Sequence, residues 1–290
     1  MMQTIKKIFS PIAATINYIQ NHFKAMLFIL LLAIIFIPAS KEELNTNNLL
    51  KISLVGPIMD ATEIIQQIND AANNGAIKGV LLNVDSPGGA VAPSVEIAYA
   101  IKRLKEKKPV IAYAQGTMAS GSYYASIWAS QIIANPGSMI GSIGVIMQGT
   151  DLSGIMKKIG IKSQVVKAGL YKQVGTPDRA WKPYEIKELN KVIQGTYDMF
   201  TKDVADARKL NLKKRDVFAN AHIFTANQAK EVGLIDTIGV EFDAKKALIA
   251  LSGVQHPVWN QEDKFDKLMK KLAATTAVTL HTYFPSLSLR

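Results

Sequence analysis

Strand patterns alternate with helical patterns through most of this chain, and this alternation restricts its fold more than any other feature. Apolar runs typical of strands occur at 49–58, 79–84 and 109–114, and the segments between them carry apolar residues at helical spacing. Successive parallel strands need a crossover helix, because the chain must return to its starting edge before the next strand. The sequence therefore predicts an α/β domain with a largely parallel sheet over residues 49–252.

Further elements follow the third strand pattern. Residues 143–147 and 163–167 are predicted to be strands, and about 182–210 a long helix. Thr225 with Gln228 forms a capping-box pattern, a hydroxyl followed three residues later by an amide side chain. A helix is therefore predicted to begin directly after Thr225.

The N-terminal region contains an apolar run, residues 25–39, without a charged or polar side chain. These fifteen residues would rise about 22 Å as a helix, less than the roughly 30 Å of a bilayer's hydrocarbon core. The flanking Lys24 and Lys41 compensate for this difference, because lysine side chains extend toward the polar interface. We expect residues 25–40 to form an uncleaved transmembrane signal anchor; a cleaved signal peptide is the alternative.

Charge around this run predicts its orientation. Lysines precede the run and no acidic residue does, so residues 1–24 are expected in the cytoplasm and the chain after residue 40 across the membrane. Residues 41–48 are a polar linker to the main domain. Residues 253–290 form a C-terminal tail with no assigned role.

Composition excludes several classes of function. Lysine and arginine exceed the acidic residues by 11, but they are scattered and accompany no RNA-binding motif or zinc-finger spacing, so no nucleic-acid partner is predicted. The chain has no cysteine, which excludes disulfides and thiolate metal sites. No metal or cofactor is predicted.

Ser120 is the candidate nucleophile. It lies in Gly-Thr-Met-Ala-Ser-Gly-Ser (116–122), after a strand pattern and at the predicted start of a helix. A nucleophilic serine needs a base, and the four histidines have no triad-like context, so a lysine base is the known alternative. Ser122 and Ser126 compete as nucleophiles, although both lie within the predicted helix. The non-catalytic alternative for Ser120 is a helix N-cap.

A glycine pair follows an earlier strand, in Asp85-Ser86-Pro87-Gly88-Gly89. Glycines without side chains leave backbone N–H groups open and permit positive φ, which suits an oxyanion site. A tight strand-to-helix turn explains the same pair without any chemistry. From these residues alone both interpretations stay open.

Five segments together resemble the Ser-Lys peptidases of the signal peptide peptidase A family, over about residues 50–240. They are Val-Asp-Ser-Pro-Gly-Gly (84–89), Met-Ala-Ser-Gly-Ser-Tyr-Tyr (118–124), Ala-Asn-Pro-Gly-Ser-Met-Ile-Gly-Ser-Ile-Gly-Val-Ile (134–146), Gly-Leu-Tyr-Lys (169–172) and Phe-Thr-Ala-Asn-Gln-Ala-Lys-Glu-Val-Gly-Leu-Ile-Asp-Thr-Ile-Gly (224–239). Each segment is weak by itself. Their order, behind an apparent anchor, is specific.

The resemblance implies a ClpP/crotonase-like fold of repeated β-β-α units, with Ser120 as nucleophile and Lys172 as general base. It implies oxyanion-hole or substrate-binding roles for Gly88, Gly89 and Gly121. It also implies homo-oligomeric rings in which the serine and lysine of one site come from adjacent protomers. The implied substrates are remnant signal peptides at a bacterial inner membrane, with the catalytic domain on the periplasmic side.

One departure from the family pattern is visible, since Gly-Gly usually follows the serine and here it is Gly121-Ser122. The small Ser122 is expected to be tolerated and to narrow the adjacent pocket. Three rival functions remain: an acyl-CoA enzyme on the same fold, a catalytically silent membrane-attached ring, and a related peptidase with another membrane client.

Overall fold

The computed structural model describes residues 18, 20–28 and 47–260 of the 290-residue chain. The chain divides into two compact units, residues 1–46 and 47–290. Residues 20–28 are helical. Most of the predicted anchor and linker, and the tail beyond residue 260, lie outside the described residues. Within the described part, no helix is long and apolar enough to cross a bilayer.

Seven strands form one mixed sheet in the second unit. Their order is β1-β2-β3-β4-β7, all parallel, and β5 pairs parallel with β3 while β6 pairs antiparallel with β5. The strands are β1 (Leu49–Val55), β2 (Gly79–Ser86), β3 (Val110–Ala119), β4 (Gln131–Ala134), β5 (Met139–Gly141), β6 (Ile223–Thr225) and β7 (Thr237–Ile238). The prediction of an α/β domain with a largely parallel sheet is confirmed.

Helices cover both faces of this sheet. They are α1 (Thr62–Asn73), α2 (Val91–Lys105), α3 (Gly121–Ser126), α4 (Ser153–Lys158), α5 (Pro183–Arg208), α6 (Arg215–Phe218), α7 (Ala226–Glu231) and α8 (Glu241–Ser252), with a 3₁₀ turn at Leu212–Lys214. The predicted capping box is confirmed, because the Thr225 hydroxyl accepts from the Gln228 amide and the Gln228 side chain accepts from the Thr225 amide.

The central strands explain the position of the core. β2 is buried along almost its whole length, as expected for a parallel strand covered on both faces. On one face its side chains join the large cluster that includes residues of α1, α2 and α3. On the other face Leu81 packs with Leu49, Ile111 and Leu248, which brings α8 against the amino-terminal half of the sheet.

β3 changes partner part-way along its length. The β2–β3 register moves from Val84↔Ala114 to Ser86↔Met118, so β3 uses four residues where β2 uses two. The Asp85 carboxylate accepts a hydrogen bond from the displaced Thr117 amide at 2.9 Å. Before this bulge β3 pairs with β4, and after it β3 pairs with β5. The bulge therefore bends the strand just before its end.

Residues 149–181 form an arm between β5 and α5. The base of the arm is closed by the Leu152 amide, which donates to Pro177 O at 2.7 Å, and by Trp181, whose indole lies directly against Gly149. The predicted strands at 143–147 and 163–167 are wrong, since both segments are irregular. A segment forms a strand only when it pairs with another, and neither segment pairs with any of the described strands.

Glu185 fixes the junction between the arm and α5. Its carboxylate, 0% exposed, accepts the Lys182 amide at 2.8 Å and both terminal nitrogens of Arg179 at 2.7 and 2.8 Å. These hydrogen bonds, with that from Arg179 the largest cause, lower the pKa of Glu185 to about 2. The arm is thereby attached to a helix start by a charged, fully hydrogen-bonded group.

Candidate active site

Ser120 occupies the turn between the end of β3 and the start of α3. Its backbone has φ 52° and ψ −124°, a combination that side-chain-bearing residues rarely adopt. Its amide donates to Gly141 O at 2.8 Å, and its carbonyl accepts from the Tyr124 amide at 3.0 Å. Such backbone strain costs about 1–3 kcal/mol and persists only where the surroundings enforce it, most often at functional sites.

Three glycines allow the turn and the Gly88-Gly89 loop to approach each other. A Cβ on Gly88, which has φ 93°, would lie 2.6 Å from the Gly121 amide and 2.8 Å from Ser120 Cβ. A Cβ on Gly89 would lie 2.1 Å from Ile58 O, and one on Gly121 would lie 2.2 Å from the Ser94 hydroxyl. A side chain at Gly88 would therefore separate the two loops, and one at Gly89 or Gly121 would push its loop away from Ile58 or from Ser94 of α2.

The amides of Gly89 and Gly121 lie beside each other at this junction. The Cβ position of Gly121 is 3.3 Å from the Gly89 nitrogen. Within the described part of the chain, neither amide donates a hydrogen bond to another residue. Two open N–H donors next to a strained serine are the arrangement that stabilises an oxyanion.

A cleft of about 320 Å³ opens next to Ser120. One wall comes from α2, through Val91 and Val95, and the opposite wall from α5, through Met199 and Phe200. The other lining residues are Gly89, Ser94, Gly121, Tyr124, Ser142, Gly144, Val145, Ile146, Thr196 and Ala221. Mostly apolar walls around a few polar groups are typical of a site that binds an apolar side chain.

Tyr124 connects the turn to the α5 wall. Its hydroxyl donates a short hydrogen bond to Asp203, and its ring meets Phe200 edge-on at a centroid distance of 4.9 Å. Burial, reinforced by Asp203, raises the pKa of Tyr124. The phenol therefore stays neutral and acts as a donor that holds α5 against α3.

Lys172 is not among the residues that line this cleft. It is exposed, within the turn at residues 168–175 of the arm. The neighbouring Leu170 and Tyr171 are 58% and 47% exposed, so this apolar flank does not bury the lysine within one chain. The structure thus brings Ser120 together with Gly88, Gly89 and Gly121, but does not bring Lys172 to them.

The competing serines are not accessible. Ser122 and Ser126 are both 0% exposed, and their hydroxyls are engaged with backbone groups. The expectation that Ser122 narrows the pocket is wrong, because its side chain points away from the cleft lining toward Ser86 O.

The α5 wall was missed by sequence reasoning. Thr196, Met199 and Phe200 line the cleft although they lie more than 70 residues from Ser120 in the chain. Their apolar spacing on a long helix indicated only a buried face. No local motif marked them, since the contact depends on how α5 packs.

The fold and this turn define an α/β protein that presents a strained serine at the carboxyl end of a parallel strand. The model of peptidase family S49 matches residues 102–255, which include Ser120 and Lys172. The chain belongs to peptidase family S49. This confirms the resemblance to signal peptide peptidase A.

Individual relatives agree with this family. A provisionally named protease of Methanocaldococcus jannaschii is 41% identical over 68% of this chain and 64% of its own length. The chloroplastic serine protease SPPA of Arabidopsis thaliana is 32% identical over 65% of this chain and 28% of its own length. Protease 4 of Salmonella typhi is 30% identical over 78% of this chain and 38% of its own length. The chain thus spans less than two thirds of these relatives.

Among solved structures, a point mutant of ClpP1 from Listeria monocytogenes superposes with a TM-score of 0.47 at 17% identity, covering 67% of this chain and 93% of that chain. A TM-score below 0.5 does not establish a common fold. The α/β class therefore rests on the observed sheet.

Proposed function

We propose that this chain is a membrane-anchored serine endopeptidase with a Ser-Lys dyad, in which Ser120 is the nucleophile and Lys172 the general base. The observation that carries the proposal is the strained Ser120 turn, which faces an apolar cleft beside the open amides of Gly89 and Gly121. Membership of a peptidase family supports the same chemistry.

The proposed mechanism uses backbone and side-chain groups alone. Neutral Lys172 accepts the proton of the Ser120 hydroxyl as the serine oxygen attacks the peptide carbonyl. The amides of Gly89 and Gly121 donate to the oxyanion that forms. Protonated Lys172 then donates its proton to the leaving amine, and water hydrolyses the acyl-enzyme. Gly88 has a spatial role, since it lets the two loops meet.

We further propose that Lys172 acts at the Ser120 of an adjacent protomer in a homo-oligomeric ring. The exposed position of Lys172 on the arm supports this, because within one chain it does not reach the cleft. The arm also exposes apolar side chains that a second copy of the chain would cover: Ile155, Ile159, Ile161, Val165, Val166 and Leu170. Exposed apolar patches of this kind mark protein interfaces.

The apolar cleft supports substrates with apolar segments, such as remnant signal peptides and other membrane-proximal peptides. The proposed anchor at 25–40 would hold the peptidase domain at the outer, periplasmic surface of a bacterial inner membrane, with the N-terminus cytoplasmic. We also propose that the domain has the ClpP/crotonase-like arrangement of repeated β-β-α units.

Peptide hydrolysis by the full chain, purified in detergent, tests the proposal. Wild type is compared with Ser120→Ala, Lys172→Ala and Lys162→Ala, the last a control because Lys162 is another exposed lysine of the arm. We expect hydrolysis to fall by about 10³-fold or more in the first two variants and to stay unchanged in the control.

Other outcomes point elsewhere. Hydrolysis that survives Ser120→Ala refutes the nucleophile, and hydrolysis that survives Lys172→Ala refutes the base. Turnover of acyl-CoA thioesters in place of peptides would favour an acyl-CoA enzyme. A wild-type ring that cleaves no peptide, in detergent or in a bilayer, would favour a non-catalytic scaffold.

A further inference from the structure

The Ser122 hydroxyl lies between the ends of two strands. It accepts the Ala119 amide at 2.9 Å and donates to Ser86 O at 2.6 Å, with Ala119 O also 2.9 Å away. Ser122 and Ser86 are 0% exposed, and Ala119 is 8% exposed. Water therefore cannot easily replace this hydroxyl in its contacts with the two strand ends.

The hydroxyl lies where the pairing of β2 with β3 ends. After the bulge, Ser86↔Met118 is the last paired position in the register of these two strands. A single hydroxyl that accepts from one strand and donates to the next adds a side-chain link between the two strand ends. The interaction connects α3 to the ends of both strands.

Both ends of this bridge are next to the proposed catalytic groups. Ala119 precedes Ser120, and Ser86 precedes the glycine loop. The Ser86 hydroxyl in turn accepts the Gly88 amide at 3.2 Å. The chain of contacts thus runs from the Ser120 turn, through Ser122 and Ser86, to the loop that carries Gly89.

We propose that Ser122 is a positioning residue that fixes the Gly88-Gly89 loop relative to the Ser120 turn. The Ser122 hydroxyl sets the distance between the Ser120 side-chain oxygen and the Gly89 amide. It does not contact the substrate. The catalytic consequence rests on the proposed peptidase function. Removing the hydroxyl takes one hydrogen bond from the Ala119 N–H and one from the Ser86 C=O, so the two loops lose a common anchor.

Ser122→Ala is the test, and Ser126→Ala is its matched control. Ser126 is also a fully buried serine of α3 whose hydroxyl bonds a backbone carbonyl, Ser122 O at 2.8 Å, but it contacts neither loop. The full chain is studied in detergent. Hydrogen–deuterium exchange is read by mass spectrometry at 86–90 and 117–121, and kcat and KM are measured per titrated active site.

We expect Ser122→Ala to exchange about tenfold faster in both segments, while Ser126→Ala exchanges as wild type there. In Ser122→Ala kcat should fall about tenfold or more with KM within about twofold, because the oxyanion donor is misplaced while the cleft is intact. If Ser122→Ala does not fold, Ser122→Cys serves instead, since a thiol fills the space of the hydroxyl but forms only weak hydrogen bonds.

Equal exchange in the Ser122 and Ser126 variants overturns the proposal. So does a loss of kcat with unchanged exchange at 86–90, because the effect would then not pass through the glycine loop. If hydrolysis proves independent of Ser120, the proposed peptidase function fails, and exchange alone decides whether Ser122 couples the loops.

Discussion

Complementation between two inactive variants distinguishes a shared site from a site built within one chain. Lys172 is exposed on the arm and absent from the cleft at Ser120, so the lysine of one protomer is expected to serve the serine of the next. In a ring with heterologous contacts each protomer gives its lysine to one neighbour. Ser120→Ala subunits retain the lysine, and Lys172→Ala subunits retain the serine.

The expected recovery of activity follows from the frequency of adjacent subunit pairs in the ring. If a fraction x of the subunits carries Ser120→Ala, a site works only where a serine-bearing subunit adjoins a lysine-bearing one, with probability x(1−x) for random placement. An equal mixture should therefore regain about one quarter of wild-type activity, and a 1:3 mixture about 0.19. Sites built within one chain would regain nothing at any ratio.

The assay co-expresses the variants with different affinity tags and isolates mixed rings by sequential purification. Ser120→Ala mixed with the double variant Ser120→Ala/Lys172→Ala is the control, because that mixture contains no intact serine. Peptide hydrolysis is measured against subunit ratio. Mixed rings of confirmed composition that stay as inactive as the pure variants would refute the shared site, as would recovery without a maximum near equal mixing.

Three further predictions concern other parts of the molecule. Gly121→Ala places a Cβ 2.2 Å from the buried Ser94 hydroxyl and should lower stability by about 1–3 kcal/mol and abolish hydrolysis, whereas Gly154→Ala, with open space around its Cβ, should do neither in thermal unfolding and turnover assays. The lowered pKa of Glu185 means that its charge stabilises the arm above pH 4.5, and that this stabilisation is lost as the pH falls toward about 2. Pulsed hydrogen exchange should detect faster exchange of the arm amides at low pH. Glu185→Gln should show the same faster exchange already at neutral pH. Peptides with leucine or phenylalanine before the scissile bond should exceed those with aspartate in kcat/KM by about 10-fold or more; equal rates would exclude an apolar specificity pocket.

Hydrophobic periodicity and short capping motifs predicted those elements of the fold whose burial in the structure matches their sequence pattern. The β2 pattern is apolar because both faces of that strand are covered, and the α7 cap depends on residues three apart. The same rules failed at 143–147 and 163–167, where Val166 is fully exposed. The apolar residues of 163–167 belong to the arm, and Val145 and Ile146 of 143–147 line the cleft. An apolar pattern alone does not distinguish a strand from a cleft wall or from an exposed surface that a partner would cover.

The site was predictable as far as it is local. Ser120 and the glycine pair each follow a strand, and strands that run parallel bring such turns to one edge. The α5 wall and the Ser122 bridge depend on tertiary packing, and the strand bulge has no short sequence signature. No sequence pattern predicts that Lys172 is absent from the cleft of its own chain, because this depends on the tertiary placement of the arm.

The partner change of β3 has a topological consequence. Where a strand leaves one neighbour for another, the diverging strands open a crevice at their carboxyl ends, and ligands of open α/β sheets bind at such switch points. Residues 115–116 lie between the β4-paired and β5-paired parts of β3. This segment acts as a spacer that sets how far Ser120 projects beyond the sheet, so a change in its length displaces the serine from both neighbouring strands at once.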